Sequence, residues 1–382
     1  MNSRKLYLIV VPKLFSMIRC GLELSSELPS LTREDYTTLL SIGTQQSIQP
    51  ILYHGIKCSN VPEEIMQDFD KARMRHTYLT IQHIAALKNV SEALDKSMIP
   101  YVPLKGSVIR DLYPLPELRT SCDIDVLVHE EDLDKAVQII ESQTDFRTLH
   151  HAYHDISMAN SRVHLELHFN LKENMENIDK LLNKAWDYAS PTASGCRYVF
   201  SPEFQIFHVI AHMSYHFLHG GLGIRPFLDL WLLRHKTQYS ESTICEMCSE
   251  CGILTFYKEC CALSEVWLAN AAHSETTEML ESYCLSGGVF GSEEFKNAGR
   301  QKEKRGWRYI ASRAFPSADE VKAYYRDDTG KDHSLLYYYG KRFASWFGKE
   351  RRGELKRRIH EVLHSDQAYL DDADELFKRL GL

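Results

Sequence analysis

The feature that most constrains this chain is a change in its hydrophobic period. Up to about residue 97, apolar side chains recur at helical spacing. Ile65, Phe69, Met74, Leu79, Ile84, Leu87, Val90 and Leu94 follow one another with no proline or glycine between Pro62 and Lys96, which predicts one long helix. Ser59-Asn60-Val61-Pro62 supplies a cap and a helix-initiating proline, and Thr32 with Asp35 predicts an earlier start of capping-box type. From residue 98 the period shortens. Residues 98–104 are apolar and proline-bounded, and residues 122–128 and 162–169 carry the alternation of strands. Short helices are expected at 108–113 and 130–142. Beyond Pro202 helical spacing returns over 203–218, Gly220-Gly221-Leu222-Gly223 breaks it, and helices resume from Pro226 to about residue 284.

The expected fold class is therefore α+β: a small mixed sheet flanked by helices, with a helical N-terminal region and a larger helical C-terminal domain. The expected boundaries are a helical region at 1–97, the sheet-bearing core at 98–200, a helical bundle at 201–285, and a connection with a helical tail at 286–382. In that tail a basic stretch at 349–358 precedes an acidic one at 366–375.

A length of 382 residues supplies ample core material, and 44% hydrophobic with 25% charged residues excludes disorder. The net charge of -7 argues against coating long nucleic acid, which needs a basic excess. No stretch has the ~18 to 20 uninterrupted apolar residues of a membrane helix, so no membrane partner is expected. The basic start and six apolar residues at the N-terminus are cut short by Pro12-Lys13, and we read them as a buried first helix rather than a signal peptide. Ten cysteines, mostly scattered singly through apolar segments, suit a reducing cytoplasm.

Strand alternation decides where the chemistry lies. Asp123 and Asp125 project to one face while Ile124, Val126 and Val128 project to the other. In the later strand Val163, Leu165, Leu167 and Phe169 share one face, leaving His164, Glu166 and His168 opposite. Three carboxylates gathered from two strands repel one another unless a cation sits among them, and hard oxygen ligands suit Mg²⁺. Upstream, Lys105-Gly106-Ser107 forms a strand-turn-helix start whose backbone N–H groups and hydroxyl can approach an anion. Lys105 and Arg119 are placed to touch phosphate oxygens, although Arg119 has Glu117 and Asp123 as alternative partners. A phosphate cradle followed by an acid pair implies a nucleoside triphosphate and in-line transfer at phosphorus.

Lys105-Gly106-Ser107, Arg119, the strand from Cys122 to Val128, and Leu165-Glu166-Leu167-His168 resemble the uncharacterised nucleotidyltransferase family related to the DNA polymerase β superfamily. The resemblance continues through His212, His216 and Leu228-Asp229-Leu230 to Phe315-Pro316-Ser317 and residues 339–342. It implies that Asp123, Asp125 and Glu166 hold Mg²⁺ (or Mn²⁺) and act in catalysis, and that Lys105, Gly106, Ser107 and Arg119 hold the triphosphate. The implied reaction moves a nucleoside monophosphate from a triphosphate, with ATP expected as donor, and releases pyrophosphate. The acceptor is an unidentified small molecule, protein side chain or RNA end. A catalytically silent nucleotide-binding module on the same fold is the alternative.

Two further patterns have functional and structural readings. His208, His212 and His216 recur at i, i+4 and i+8, which could form a metal ladder but lacks the carboxylate such motifs carry. Packing and hydrogen bonding are expected instead, with His212 and His168 as candidates for acceptor contact or for orienting the acids. Asp229 is expected to cap or to pair with Arg225. Cys245, Cys248 and Cys251 have the spacing of an iron–sulfur run, yet the fourth position is Thr255, so they are read as small hydrophobes on a helix face.

Overall fold

The structure is a computed structural model that describes residues 3–57, 61–152, 154–193, 195–288, 334, 336–338, 340 and 367–382. Four helices precede the sheet: α1 Ser3–Gly21, α2 Arg33–Gln45, α3 Gln49–Ile56 and α4 Glu63–Lys96. The capping box closes as the sequence requires. The Asp35 backbone N–H donates to Thr32 Oγ1 at 3.2 Å, and the Thr32 N–H donates to Asp35 Oδ2 at 2.7 Å. Lys13 Nζ reaches the same Oδ2 at 2.7 Å and ties α1 to α2.

The 34 residues of α4 span about 50 Å. Ile65, Phe69, Ala86, Val90 and Leu94 bury against the rest of the molecule. Met74 and Ile84, which share the helical period, are 52% and 48% exposed. The apolar stripe on α4 is wider than the surface available to cover it.

A short β1, Tyr101–Pro103, leads into the one-turn helix α5, Gly106–Ile109. A 3₁₀ turn at Arg110–Leu112 follows, so the helix expected at 108–113 is split and begins earlier. Then come β2 Asp123–Val128, α6 Leu133–Gln143, β3 Arg147–His151, β4 Asp155–Ala159 and β5 His164–His168. The five strands are ordered β1-β2-β5-β4-β3, with β2 and β5 parallel and the other neighbours antiparallel. β3 and β4 were not anticipated. β3 is an edge strand with Leu149 60% exposed and an irregular register between Thr148 and His150, so it carries little apolar alternation.

α7 Glu176–Leu182 and a two-stranded ribbon, β6 Ala189–Pro191 with β7 Tyr198–Phe200, close this part of the chain. Helices follow: α8 Pro202–His219, α9 Arg225–Lys236, α10 Glu241–Glu250, α11 Leu254–Ala269 and α12 Glu275–Ser286, with a last helix at Gln367–Leu380. The expected connection beyond residue 288 and the basic stretch at 349–358 lie outside the described residues. Among the described residues, no helix is long and apolar enough to cross a membrane.

Two apolar cores result. Ile124, Val126, Val128, Ile156, Met158, Leu165 and Leu167 of the sheet pack on Ala86, Val90 and Leu94 of α4 and on Ala136 and Ile140 of α6. Each of the larger side chains (Val, Leu, Ile, Met), fully buried, contributes about 1.5–3 kcal/mol. The larger core joins α1–α3 to α8–α12 and the last helix. Phe15 stacks on Trp267 with ring centroids 4.5 Å apart, and Trp267 Nε1 donates to Glu281 at 2.7 Å. With one sheet face committed to α4 and α6, the polar face is left for the site.

Candidate active site

The register of the parallel β2–β5 pair sets Asp125 directly opposite Glu166. Neighbours in register share a face, so both carboxylates, and Asp123 two residues earlier, project away from the apolar core. His168 lies at the end of β5, with Nε2 3.1 Å from Asp125 Oδ1 and 3.5 Å from Glu166 Oε2. Ligating atoms of Asp125, Glu166 and His168 all fall within 4.8 Å of one another. Asp123 stands outside that tight group but lines the same cavity. Ser121 Oγ donates to its main-chain oxygen at 3.0 Å and to its Oδ1 at 3.3 Å.

The electrostatics divide the acids. Burial would raise the Asp125 carboxyl, but Lys105 and hydrogen-bonded His168 outweigh it and hold Asp125 far below the usual carboxylate range. Asp123 goes the other way, raised by burial and by the negative charges of Asp125 and Glu166. Burial would also lower His168, yet its bonds to Asp125 and Glu166 push it up to about 9. This crowding of negative charge is what a divalent cation relieves.

Lys105 connects β1 to α5 with φ +39°, a left-handed conformation that costs a non-glycine residue about 1–3 kcal/mol. Its Nζ lies 3.8 Å from Asp125 Oδ1. Burial lowers the ammonium, but Asp125, Glu173, Glu166 and Asp123 together raise it, so it stays charged. Gly106 follows because nothing larger fits: a Cβ there would collide with the Arg119 guanidinium and press on Ser121 Oγ. Ser107 is buried beside it, its hydroxyl makes no hydrogen bond, and it is not part of the cavity wall. With only four residues, α5 sums little of the dipole that a longer helix offers an anion.

Arg119 has a partner the sequence did not suggest. Its Nη2 and Nε donate to Asp229 Oδ2 and Oδ1 at 2.8 and 3.2 Å, and Tyr113 Oη donates to Oδ1 at 2.7 Å. Asp229 is thus bound by Arg119 rather than Arg225, because Arg225 Nη1 instead donates to the Thr120 carbonyl at 3.0 Å. Arg119 still lines the cavity.

A cavity of about 420 Å³ lies between the acidic face of the sheet and α8, within the range of small-molecule sites. His208, His212 and His216 form its far wall, as their one-turn spacing allows. Glu173, in the loop after β5, sits 2.7 Å from His212 Nδ1, and His212 Nε2 sits 2.9 Å from His216 Nε2. Burial, reinforced by the Lys105 charge, lowers His208 to about 3 and His212 well below its ordinary value. Burial and neighbouring His212 lower His216 to about 3. This wall is therefore neutral at pH 7. Glu173 and Ser121 escaped the sequence reading, since each sits in a loop without periodicity.

The cysteines hold no comparable arrangement. Cys248, Cys260 and Cys284 are fully buried in the larger core, and the nine described cysteines are free. Burial pushes the Cys251 thiol up to about 11 and Cys261 up to about 12, which opposes the thiolate form a metal needs. Among the described residues, no cysteine joins a metal-competent group.

No curated protein and no solved structure matches the chain. The sequence model of the family described as uncharacterised nucleotidyltransferase matches residues 32–269, a span that takes in the Gly106-Ser107 turn, both acid-bearing strands and the histidine wall, and the chain belongs to that family.

Proposed function

We propose that this protein transfers a nucleoside monophosphate, with ATP as donor, to a hydroxyl or phosphate of an acceptor, with pyrophosphate as leaving group. The observation that carries this reading is the in-register opposition of Asp125 and Glu166, with Asp123 on the same face, across a cavity from neutral histidines. The donor set is one that a hard divalent cation favours, and the like-charge crowding on Asp123 is its measure.

In this reading Asp123, Asp125 and Glu166 hold Mg²⁺ (or Mn²⁺). The bound cation supplies charge neutralisation at the triphosphate and at the attacking oxygen. Lys105, held charged and half-buried, meets phosphate oxygens together with the main chain at Gly106. Ser107 joins this cradle if its buried hydroxyl turns toward the donor. Arg119 acts by fixing Gly106 and the cavity wall, because its guanidinium is already taken by Asp229. His168 holds Asp125 ionised through its hydrogen bond. His212, oriented by Glu173, faces the acceptor side of the cavity. The acceptor is a small molecule, a protein side chain or an RNA end. The free thiols support placement in the reducing cytoplasm.

The test incubates purified protein and Mg²⁺ with each α-labelled triphosphate and a cell extract, following the label and released pyrophosphate. Label transfer that stops in Asp123→Asn and Asp125→Asn supports the proposal. Tight triphosphate binding with no metal dependence and no pyrophosphate would favour a silent binding module.

A further inference from the structure

Beside the acidic cluster lies a second group of ligating side chains, of which His154 and Asp155 have no part in nucleotidyl transfer. Strands β4 and β5 pair antiparallel, and their register sets Asp155 opposite His168. Cross-strand partners share a face, here the same polar face that carries Glu166. His154 precedes β4 and stacks on His168, with ring centroids 5.5 Å apart and planes 3° apart. Its Nε2 lies 3.3 Å from Asp155 Oδ1. One ligating atom from each of His154, Asp155 and His168 falls within 4.8 Å of the other two.

A second observation points to a ligand. His168 is 3% exposed and its Nδ1 makes no hydrogen bond, while its Nε2 is engaged by Asp125. His154 Nδ1 is likewise buried and unpartnered. A ring with one nitrogen on a carboxylate and the other unsatisfied has the arrangement of a metal-ligating histidine, whose far nitrogen the carboxylate orients.

We propose that His154, Asp155 and His168 bind a zinc-class divalent cation at a site separate from the hard-cation site of Asp123, Asp125 and Glu166. Ligand chemistry separates the two. Two imidazoles with one carboxylate favour a borderline metal such as Zn²⁺, whereas three carboxylates favour Mg²⁺. Three protein ligands leave a fourth tetrahedral position for water. His154 and His168 both line the cavity, which gives the ion a route in. His168 belongs to both groups and its Nε2 is on Asp125, so zinc held by its other nitrogen would fix the ring that orients Asp125.

The experiment strips the full-length protein with a chelator, adds a large excess of Mg²⁺ to occupy the carboxylate site, titrates it with Co²⁺ as a spectroscopic stand-in, then displaces Co²⁺ with Zn²⁺. We expect one Co²⁺ per chain with visible d–d absorption. His154→Gln and Asp155→Asn should each weaken binding at least tenfold while keeping the far-ultraviolet circular dichroism of the parent. Asp123→Asn should bind Co²⁺ as the parent does. Absence of stoichiometric binding, or unchanged binding in both His154→Gln and Asp155→Asn, overturns the proposal. These outcomes are independent of catalysis, since Asp123→Asn tests nucleotidyl transfer without touching this cluster.

Discussion

Arg119 and Asp229, 110 residues apart in sequence, make a two-pronged ion pair that locks the turn before β2 to helix α9. Both side chains are at least nine-tenths buried, and Tyr113 completes the carboxylate's coordination. Removing one partner leaves the other charge stranded. Asp229→Asn should therefore cost about 3–5 kcal/mol in urea denaturation. Replacing both residues with apolar ones, as in Arg119→Met with Asp229→Leu, should recover much of that loss. Equal stability of Asp229→Asn and parent would show that the pair is not formed.

The same guanidinium excludes a side chain at Gly106. Gly106→Ala drives a methyl group into Arg119, which Asp229 prevents from yielding. The expected result is a stability loss of about 1–3 kcal/mol by thermal or urea melts. Triphosphate turnover should fall more than tenfold. A fully active Gly106→Ala would mean the turn is not a tight cradle.

Asp123 is crowded by Asp125 and Glu166. Neutralising it as Asp123→Asn should leave the metal-free melting temperature unchanged or higher, because repulsion is relieved. The melting-temperature rise that Mg²⁺ produces in the parent should disappear in the same variant. Retention of the full Mg²⁺ shift would remove Asp123 from the metal site.

His208 supplies a pH dependence with a definite sign. Its folded value is about 3, against the ordinary 6.5, because of burial and the nearby Lys105 charge. Between those values the unfolded imidazole takes a proton that the folded one refuses. The stabilisation is complete above pH 6.5 and is lost as pH falls toward 3. The slope approaches about 1.4 kcal/mol per pH unit for one such group. Urea melts from pH 7 to 4 should show it, and His208→Gln should flatten the curve by that amount.

Much of this architecture was legible before any coordinates. The Thr32–Asp35 box, the unbroken run into Lys96, and the alternation around Asp125 and Glu166 are local patterns, and local patterns survive folding. β3 was hidden because an exposed edge strand with two histidines and one apolar residue obscures period two, whereas β4, Asp155-Ile156-Ser157-Met158-Ala159, does alternate but over a run of only five residues. The partnership of Arg119 with Asp229 and the placement of Glu173 against His212 depend on chain segments far apart, which no spacing rule reports. Ser107 shows the converse: its motif was plain, but only the packing reveals that its hydroxyl is buried off the cavity.

The stacking of Phe15 on Trp267, with Arg19 Nη1 donating to the Trp267 carbonyl at 2.8 Å, sets a timetable for biosynthesis. The opening helix leaves the ribosome 248 residues before its partner, and at roughly 5–20 residues per second that is a wait of about 12–50 s. Throughout that interval α1 has α2 and α3 to pack on, but Phe15 lacks its stacking partner and Arg19 its carbonyl acceptor. A chain cut before residue 267 would leave that aromatic face of the first helix permanently unpaired.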